Sequence, residues 1–194
     1  MDRERIIDLL LETMTLKQTP RSGWQRRGVP HVESVAEHSF GTALVALVLS
    51  ETLQSRLGEK LDREKVLLMA LLHDLAEARL TDLPTMALRY LPEKIKSQAE
   101  ASALADLLAP LPSAGTLKDL WQEFEDQTSP EGRLVRDADK LEMMVQCLRY
   151  ERAGSRGLDE FWRVMDRHTW HYTESADLYA RLKAKRVGEY GHLE

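Results

Sequence analysis

Apolar residues recur at three- and four-residue spacing along almost the whole chain, and no stretch alternates apolar with polar side chains between turn signals. A chain patterned this way hides its apolar stripes by packing helices together, so the expected fold is all-α, a helical bundle. The 194 residues suffice for one well-packed core, and no internal repeat, low-complexity tract or linker divides them. One domain over residues 1–194 is predicted, with a motif-bearing core from about 16 to 151 and C-terminal helices over 158–187 packed on it.

Local signals place the helices. The first is expected over Asp2 to Leu16, followed by an irregular loop holding Pro20, Gly23, Gly28 and Pro30. Ser34-Val35-Ala36-Glu37 has the form of a capping box, which starts a helix that carries His38 in its first turns and runs to about Leu57, with Gly58 as its stop. Asp62 caps the next helix, which bears the apolar run Val66 to Leu72 and is expected to continue to about Ala78. Pro84 and Pro92 bracket a connection, after which helices are expected over Glu93 to Leu108 and Leu117 to Glu125. Ser129-Pro130-Glu131 starts a long helix to about Arg152. Leu158 to His168 and Glu174 to Val187 complete the set.

Composition excludes several classes of function. The longest apolar run falls far short of the roughly 20 residues that span a bilayer, and Asp2, Arg3 and Glu4 open the chain without a signal-like stretch. No membrane association and a cytoplasmic location are expected. A single cysteine, Cys147, allows neither an internal disulfide nor a Cys-rich zinc site, so any metal must use His and carboxylates. A net charge of -5 gives no general attraction to polyanions, with Arg21, Arg26 and Arg27 a local exception, and long nucleic acid is not an expected partner.

Chemistry concentrates where His73 and Asp74 follow directly on the apolar run. Burying two such groups is costly unless each finds a partner. Neighbouring helical side chains point about 100° apart, so both can reach one ion beside the helix, with Glu77 on the same side. His38, among Val35, Phe40 and Leu44 on another helix, can supply a third ligand across the core. Asp137 and Asp139 are both candidates for a fourth, but they sit about 200° apart and only one can face the ion. Periodicity leaves the choice open: the stripe Leu134, Ala138, Leu141, Val145 and Leu148 lies nearer Asp137, while Asp139 shares its side with Val135, Glu142 and Gln146.

The order His38, His73-Asp74, Asp139 resembles the H…HD…D signature of the HD-domain metal-dependent phosphohydrolases, an all-helical family. That resemblance selects Asp139, which follows Ala138 in Val135-Arg136-Asp137-Ala138-Asp139. The surroundings are similar to the small 5′-deoxynucleotidase branch: Leu16-Lys17 with Pro20-Arg21-Ser22-Gly23-Trp24, Glu33-Ser34-Val35-Ala36-Glu37-His38, His73-Asp74-Leu75-Ala76-Glu77, Thr81-Asp82-Leu83-Pro84, and Trp121 to Thr128. What the resemblance implies is a homodimer with one catalytic metal, acting on deoxynucleoside 5′-monophosphates.

A His₂Asp₂ set of His38, His73, Asp74 and Asp139 suits one divalent transition metal ion, Mn²⁺, Co²⁺, Fe²⁺ or Zn²⁺ alike, and leaves positions open for water and a phosphate oxygen. Glu77, beside the ion without being needed as a ligand, is assigned general acid/base. Arg21 and Trp24 lie in the loop before the capping box, where they can close over substrate, guanidinium on phosphate and indole on sugar or base, with Arg21 preferred to Arg26. The resemblance carries Asp82 over as the residue reading the sugar near its 2′ and 3′ positions, and Glu125 and Gln127 as candidates for the far side of the pocket. No histidine lies between His73 and His168, which favours one metal over two, and His31, His168, His171 and His192 receive no role. Two rivals remain: an alarmone hydrolase of the same superfamily, whose helix reads His-Asp-x-x-Glu-Asp where this chain has Ala78, and a silent scaffold that keeps its metal for stability.

Overall fold

The computed structural model describes residues 2–57, 60–92 and 94–190, and these fold into helices with no strand among them. Gly58 as a helix stop and Glu93 as a helix start lie outside the described residues, as does His192.

Helix α1 (Arg3–Thr13) is capped by the Asp2 carboxylate and tightens into a 3₁₀ turn over Met14–Lys17. The loop that follows is more ordered than its Gly and Pro content suggests. It contains a one-turn helix α2 (Ser22–Gln25), and a Pro20–Ser34 bridge with the Arg21 N–H to Glu33 carbonyl bond (3.0 Å) ties its ends together.

Helix α3 (Val35–Leu57) starts at the capping box as predicted, with the Ser34 N–H donating to Glu37 Oε2 at 2.6 Å and the Glu37 N–H donating to Ser34 Oγ at 3.2 Å. Asp62 caps α4 (Arg63–Leu72) through the Lys65 N–H at 3.1 Å. The predicted continuation to Ala78 does not occur: α4 stops at Leu72, a tight turn carries His73 to Ala76, and α5 (Glu77–Leu80) follows. The cause is local. His73 Nδ1 bonds the Ala70 carbonyl at 2.8 Å, the acceptor the Asp74 N–H needs for another α turn, and the chain winds on through three-residue bonds such as Glu77 N–H to the Asp74 carbonyl, 3.0 Å.

The connection holds α6 (Thr85–Leu88), and then come α7 (Ile95–Leu108) and α8 (Ala114–Asp126). The long helix α9 (Pro130–Arg152) has Ser129 as N-cap and Pro130 at its first position. α10 (Asp159–Met165) and α11 (Thr173–Tyr190) complete the order, α10 shorter and α11 longer than predicted. Among the described residues no helix is long and apolar enough to cross a membrane.

α3 packs mainly on α9 and α4, α4 also meets α8 and α9, and α11 closes over α9 and α3. Leu49, Leu53, Met69, Leu134, Val135 and Met144 fill the centre. A smaller cluster of Ala76, Leu104, Leu108 and Trp121 joins α5, α7 and α8. Two glycines permit close helix approach: a Cβ on Gly132 would stand 2.8 Å from the Glu123 carbonyl oxygen, and one on Gly41 would stand 2.6 Å from Glu142 Oε1.

Candidate metal centre

The break after α4 turns His73 and Asp74 toward the first turns of α3 and the middle of α9. His38 and His73 approach to 3.3 Å between their Nε2 atoms. Asp74 Oδ2 lies 3.3 Å from His73 Nε2 and 3.7 Å from His38 Nε2, and Asp139 Oδ1 lies 3.3 Å from His38 Nε2. Four side chains from three helical segments, far apart in sequence, thus converge on one point.

Hydrogen bonds set the tautomers. His73 Nδ1 faces a carbonyl that can only accept, and His38 Nδ1 lies 2.6 Å from Glu142 Oε2, so both rings carry their proton on Nδ1. Both Nε2 lone pairs then face each other across 3.3 Å with two carboxylates beside them. This arrangement repels itself unless a cation or a proton sits in the middle, and it is a donor set that could hold a divalent ion.

The electrostatics agree. Burial and the Arg21 charge push the His38 imidazole down, but hydrogen bonds to Asp139 and Glu142 outweigh them and raise it to about 10, so without a metal a proton takes the cation's place. Burial also opposes ionisation of Asp74 and Asp139, yet His73 and Arg21 hold the first, and Lys140 and His38 the second, well below the usual carboxylate range. Glu77 goes the other way. Burial, then the charges of Asp74 and Asp82, raise its carboxyl to about 9, and its buried Oε2 has no hydrogen-bond partner among the described residues.

The alternative at α9 divides cleanly. Asp137, fully buried, accepts from the His171 and Tyr172 backbone N–H groups at 3.1 Å and lies 2.9 Å from His171 Nδ1, binding the segment before α11 to α9. Asp139 faces the histidines.

Arg21 reaches the cluster, with Nη1 3.1 Å from Asp74 Oδ2, while Arg26 is exposed and turns to Met86 Sδ at 3.5 Å. Asp82 Oδ2 accepts the Ser22 N–H at 2.7 Å and so fixes the start of α2 beside Glu77. Trp24, expected as an indole over substrate, is 2% exposed, donates from Nε1 to Glu33 Oε1 at 2.7 Å, and packs against Phe161 and Tyr150. A loop indole with so much apolar area is drawn into the core, and its polar edge finds a buried carboxylate there. Glu125 lies 3.6 Å from Arg136, and Gln127 ends α8 in a left-handed conformation, its carbonyl accepting from Arg133 at 3.2 Å.

Sequence reasoning missed the support beneath the cluster. Glu33 and Glu142 gather around His38, and burial followed by the Glu142 charge pushes the Glu33 carboxyl up to about 7. Trp121 Nε1 donates to the His73 carbonyl at 3.2 Å, holding the turn from the other side. Glu142, three residues after Asp139, was visible only as a helix-face neighbour, and Gly41 opposite it was the available signal.

Comparison with known proteins accounts for this constellation. The HD domain profile matches residues 13–176, a span that contains every residue of the cluster. The chain belongs to the HD-domain family. This HD-domain protein is 31% identical over 174 residues to 5′-deoxynucleotidase HDDC2 of Danio rerio, covering 89% of this chain and 83% of that protein. It is 32% identical over 138 residues to 5′-deoxynucleotidase HDDC2 of Homo sapiens, covering 70% of this chain and 63% of that one. Among solved structures it is similar to a protein of Pyrococcus horikoshii OT3 (TM-score 0.75, 40% identity, 92% of this chain and 96% of that one). A conserved hypothetical protein of Pyrococcus furiosus gives a TM-score of 0.74 at 38% identity, with 94% and 97% covered. HD domains are metal-dependent phosphohydrolases, and the His38–His73–Asp74 group is one that could hold such an ion.

Proposed function

We propose that this HD-domain protein hydrolyses the 5′-phosphate of deoxynucleoside 5′-monophosphates, giving deoxynucleoside and phosphate, as a single-domain cytoplasmic enzyme that works as a homodimer. The facing Nε2 atoms of His38 and His73, 3.3 Å apart between Asp74 and Asp139, carry this reading. They support a cation site over a charge relay, because with an ion bound neither imidazole would carry a proton on that side. The names of the relatives supply the substrate class.

One divalent transition metal ion held by His38, His73, Asp74 and Asp139 supplies a water of lowered pKa and offsets charge on the phosphoryl oxygens. The chain's own residues do the rest. Glu77, held neutral by its raised pKa, gives its proton to the departing 5′ oxygen and is reprotonated by the proton that the attacking water loses, a task that suits a buried carboxyl beside the cluster. Arg21, anchored on Asp74, directs its remaining N–H donors at the phosphate. Asp82, locked to the Ser22 N–H, sets a carboxylate where a ribose 2′-hydroxyl would crowd it and a deoxyribose would not. Glu125 and Gln127 border the far side.

The test is phosphate release from a panel of ribo- and deoxyribonucleoside 5′-monophosphates with Mn²⁺ or Co²⁺. Turnover confined to, or strongest with, the deoxynucleotides is expected. No turnover of any monophosphate would sink the reading.

A further inference from the structure

Asp139 uses its two oxygens differently. Oδ1 faces His38, whereas Oδ2 lies 2.9 Å from Lys140 Nζ and 4.0 Å from Arg136 Nη1. Arg136 and Lys140 are four residues apart on α9, so both flank Asp139 from one side of the helix.

Arg136 is held in place but poorly satisfied. Its guanidinium lies over the Phe124 ring at 4.6 Å, and that ring packs edge-on against His73. Its ion pairs are long, 3.6 Å to Glu125 and 4.0 Å to Asp139, and its buried Nε has no hydrogen-bond partner among the described residues. Arg21 has a shorter pair, to Asp74 at 3.1 Å, which leaves only its remaining donors for a phosphate. Arginine carries five donors in a planar fork that fits two oxygens of a phosphate, and a buried donor left unmet, as Nε is here, costs free energy. A phosphomonoester dianion entering among Asp74, Glu77, Asp82, Glu125 and Asp139 also needs more positive charge than Arg21 alone supplies.

We propose that Arg136, aided by Lys140, grips the non-bridging phosphate oxygens of the substrate, leaving Glu125 to do so. The assignment rests on the phosphomonoesterase reading and adds a substrate-binding residue to it. Arg136 Nη1 stands 4.0 Å from Asp139 Oδ2, and Phe124 keeps the guanidinium plane oriented before substrate arrives.

The experiment compares wild type with Arg136→Gln, Arg136→Lys and Lys140→Gln, each loaded with Mn²⁺. Calorimetry measures binding of inorganic phosphate and of Mn²⁺, and kinetics on a deoxynucleoside 5′-monophosphate separates KM from kcat. Arg136→Gln is expected to weaken phosphate binding and raise KM by about 10- to 100-fold, the loss of one or two charge-assisted hydrogen bonds. kcat should fall less, and Mn²⁺ affinity should stay within about threefold, a margin small beside the roughly 1.4 kcal/mol of a tenfold change. Arg136→Lys should recover part of the phosphate affinity, and Lys140→Gln should lose less than Arg136→Gln. Phosphate affinity unchanged in Arg136→Gln overturns the proposal, and so does a loss that merely follows lost Mn²⁺, which would make Arg136 a buttress of Asp139. If wild type cleaves no nucleotide, the nucleotidase reading fails by itself, while inorganic phosphate binding still decides the role of Arg136.

Discussion

Glu77 differs from the other acids of the cluster in keeping its proton, and this separates its contribution to stability from its contribution to chemistry. In the metal-free chain its carboxyl is raised from 4.5 to about 9, so between those values the folded state holds a proton that the unfolded state has released. Stability therefore falls as pH rises through that window. Glu77→Gln removes the penalty. The variant should melt a few degrees above metal-free wild type at pH 8 and match it more closely near pH 5, as read by calorimetric melting. The same change should lower kcat by about 10²- to 10⁴-fold while Mn²⁺ still binds, and near-wild-type turnover would remove Glu77 from the proton transfer. At this scale the sequence was partly legible. His38, His73 and Asp74 could be argued because polar groups beside an apolar run need partners. The choice between Asp137 and Asp139 could not, because periodicity sorts buried from exposed and both are buried, at 0% and 5% exposure; only their partners differ. The burial of Trp24 was not legible for a related reason, since a loop position says little about the depth of an indole.

Helices α3 and α9 meet where Gly41 faces Glu142, and that contact fixes the orientation of His38. Without a Cβ at Gly41, the Glu142 carboxylate can lie under the ring and accept the Nδ1 proton at 2.6 Å. Glu142→Gln keeps the shape but weakens the acceptor, and should reduce Mn²⁺ affinity by about 10- to 100-fold in a chelator competition titration. Gly41→Ala should produce the same loss with a destabilisation of about 1–3 kcal/mol in urea unfolding, because the new methyl occupies the carboxylate's position. Wild-type metal affinity in both variants would show that His38 is oriented by its own helix. Helix starts were readable from Ser34, Asp62 and Ser129, whose side chains bond the backbone locally. The end of α4 was not, because it depends on His73 turning back to its own backbone, a choice that packing against α3 and α8 makes.

Across the whole molecule, Phe40, Leu44 and Val48 form an exposed stripe on α3, joined by Val145 of α9 along a groove of about 980 Å³ that reaches Glu142 and Tyr150. Phe40 is 73% exposed, a large aromatic left in water directly beside the turn that carries His38. A patch of this kind is what a second copy would cover in the proposed homodimer. Light scattering should show two copies for wild type and one for Phe40→Asp combined with Leu44→Glu; a monomeric wild type would overturn the assignment. The all-helical class was legible from periodicity alone, since the three- and four-residue spacing reflects burial against neighbouring helices wherever they lie. Which faces stay open was not, because an apolar stripe reads alike whether its partner is the same chain or another.

Asp137 gives α9 a second consequence, best seen in the order in which the chain is made. During synthesis α9 emerges well before residues 171 and 172, yet the buried Asp137 carboxylate finds its N–H donors only when those residues arrive. Until then a carboxyl group two residues from Asp139 keeps its water, and the middle of α9 has reason to stay loose. The proposed metal cage should thus be among the last parts of the molecule to set. A chain stopped after Thr169 should take up Mn²⁺ at least tenfold more weakly than the full chain although it retains His38, His73, Asp74 and Asp139, a loss of about 1.4 kcal/mol. Equal uptake by the two in a titration would show that the cage closes without its final strap.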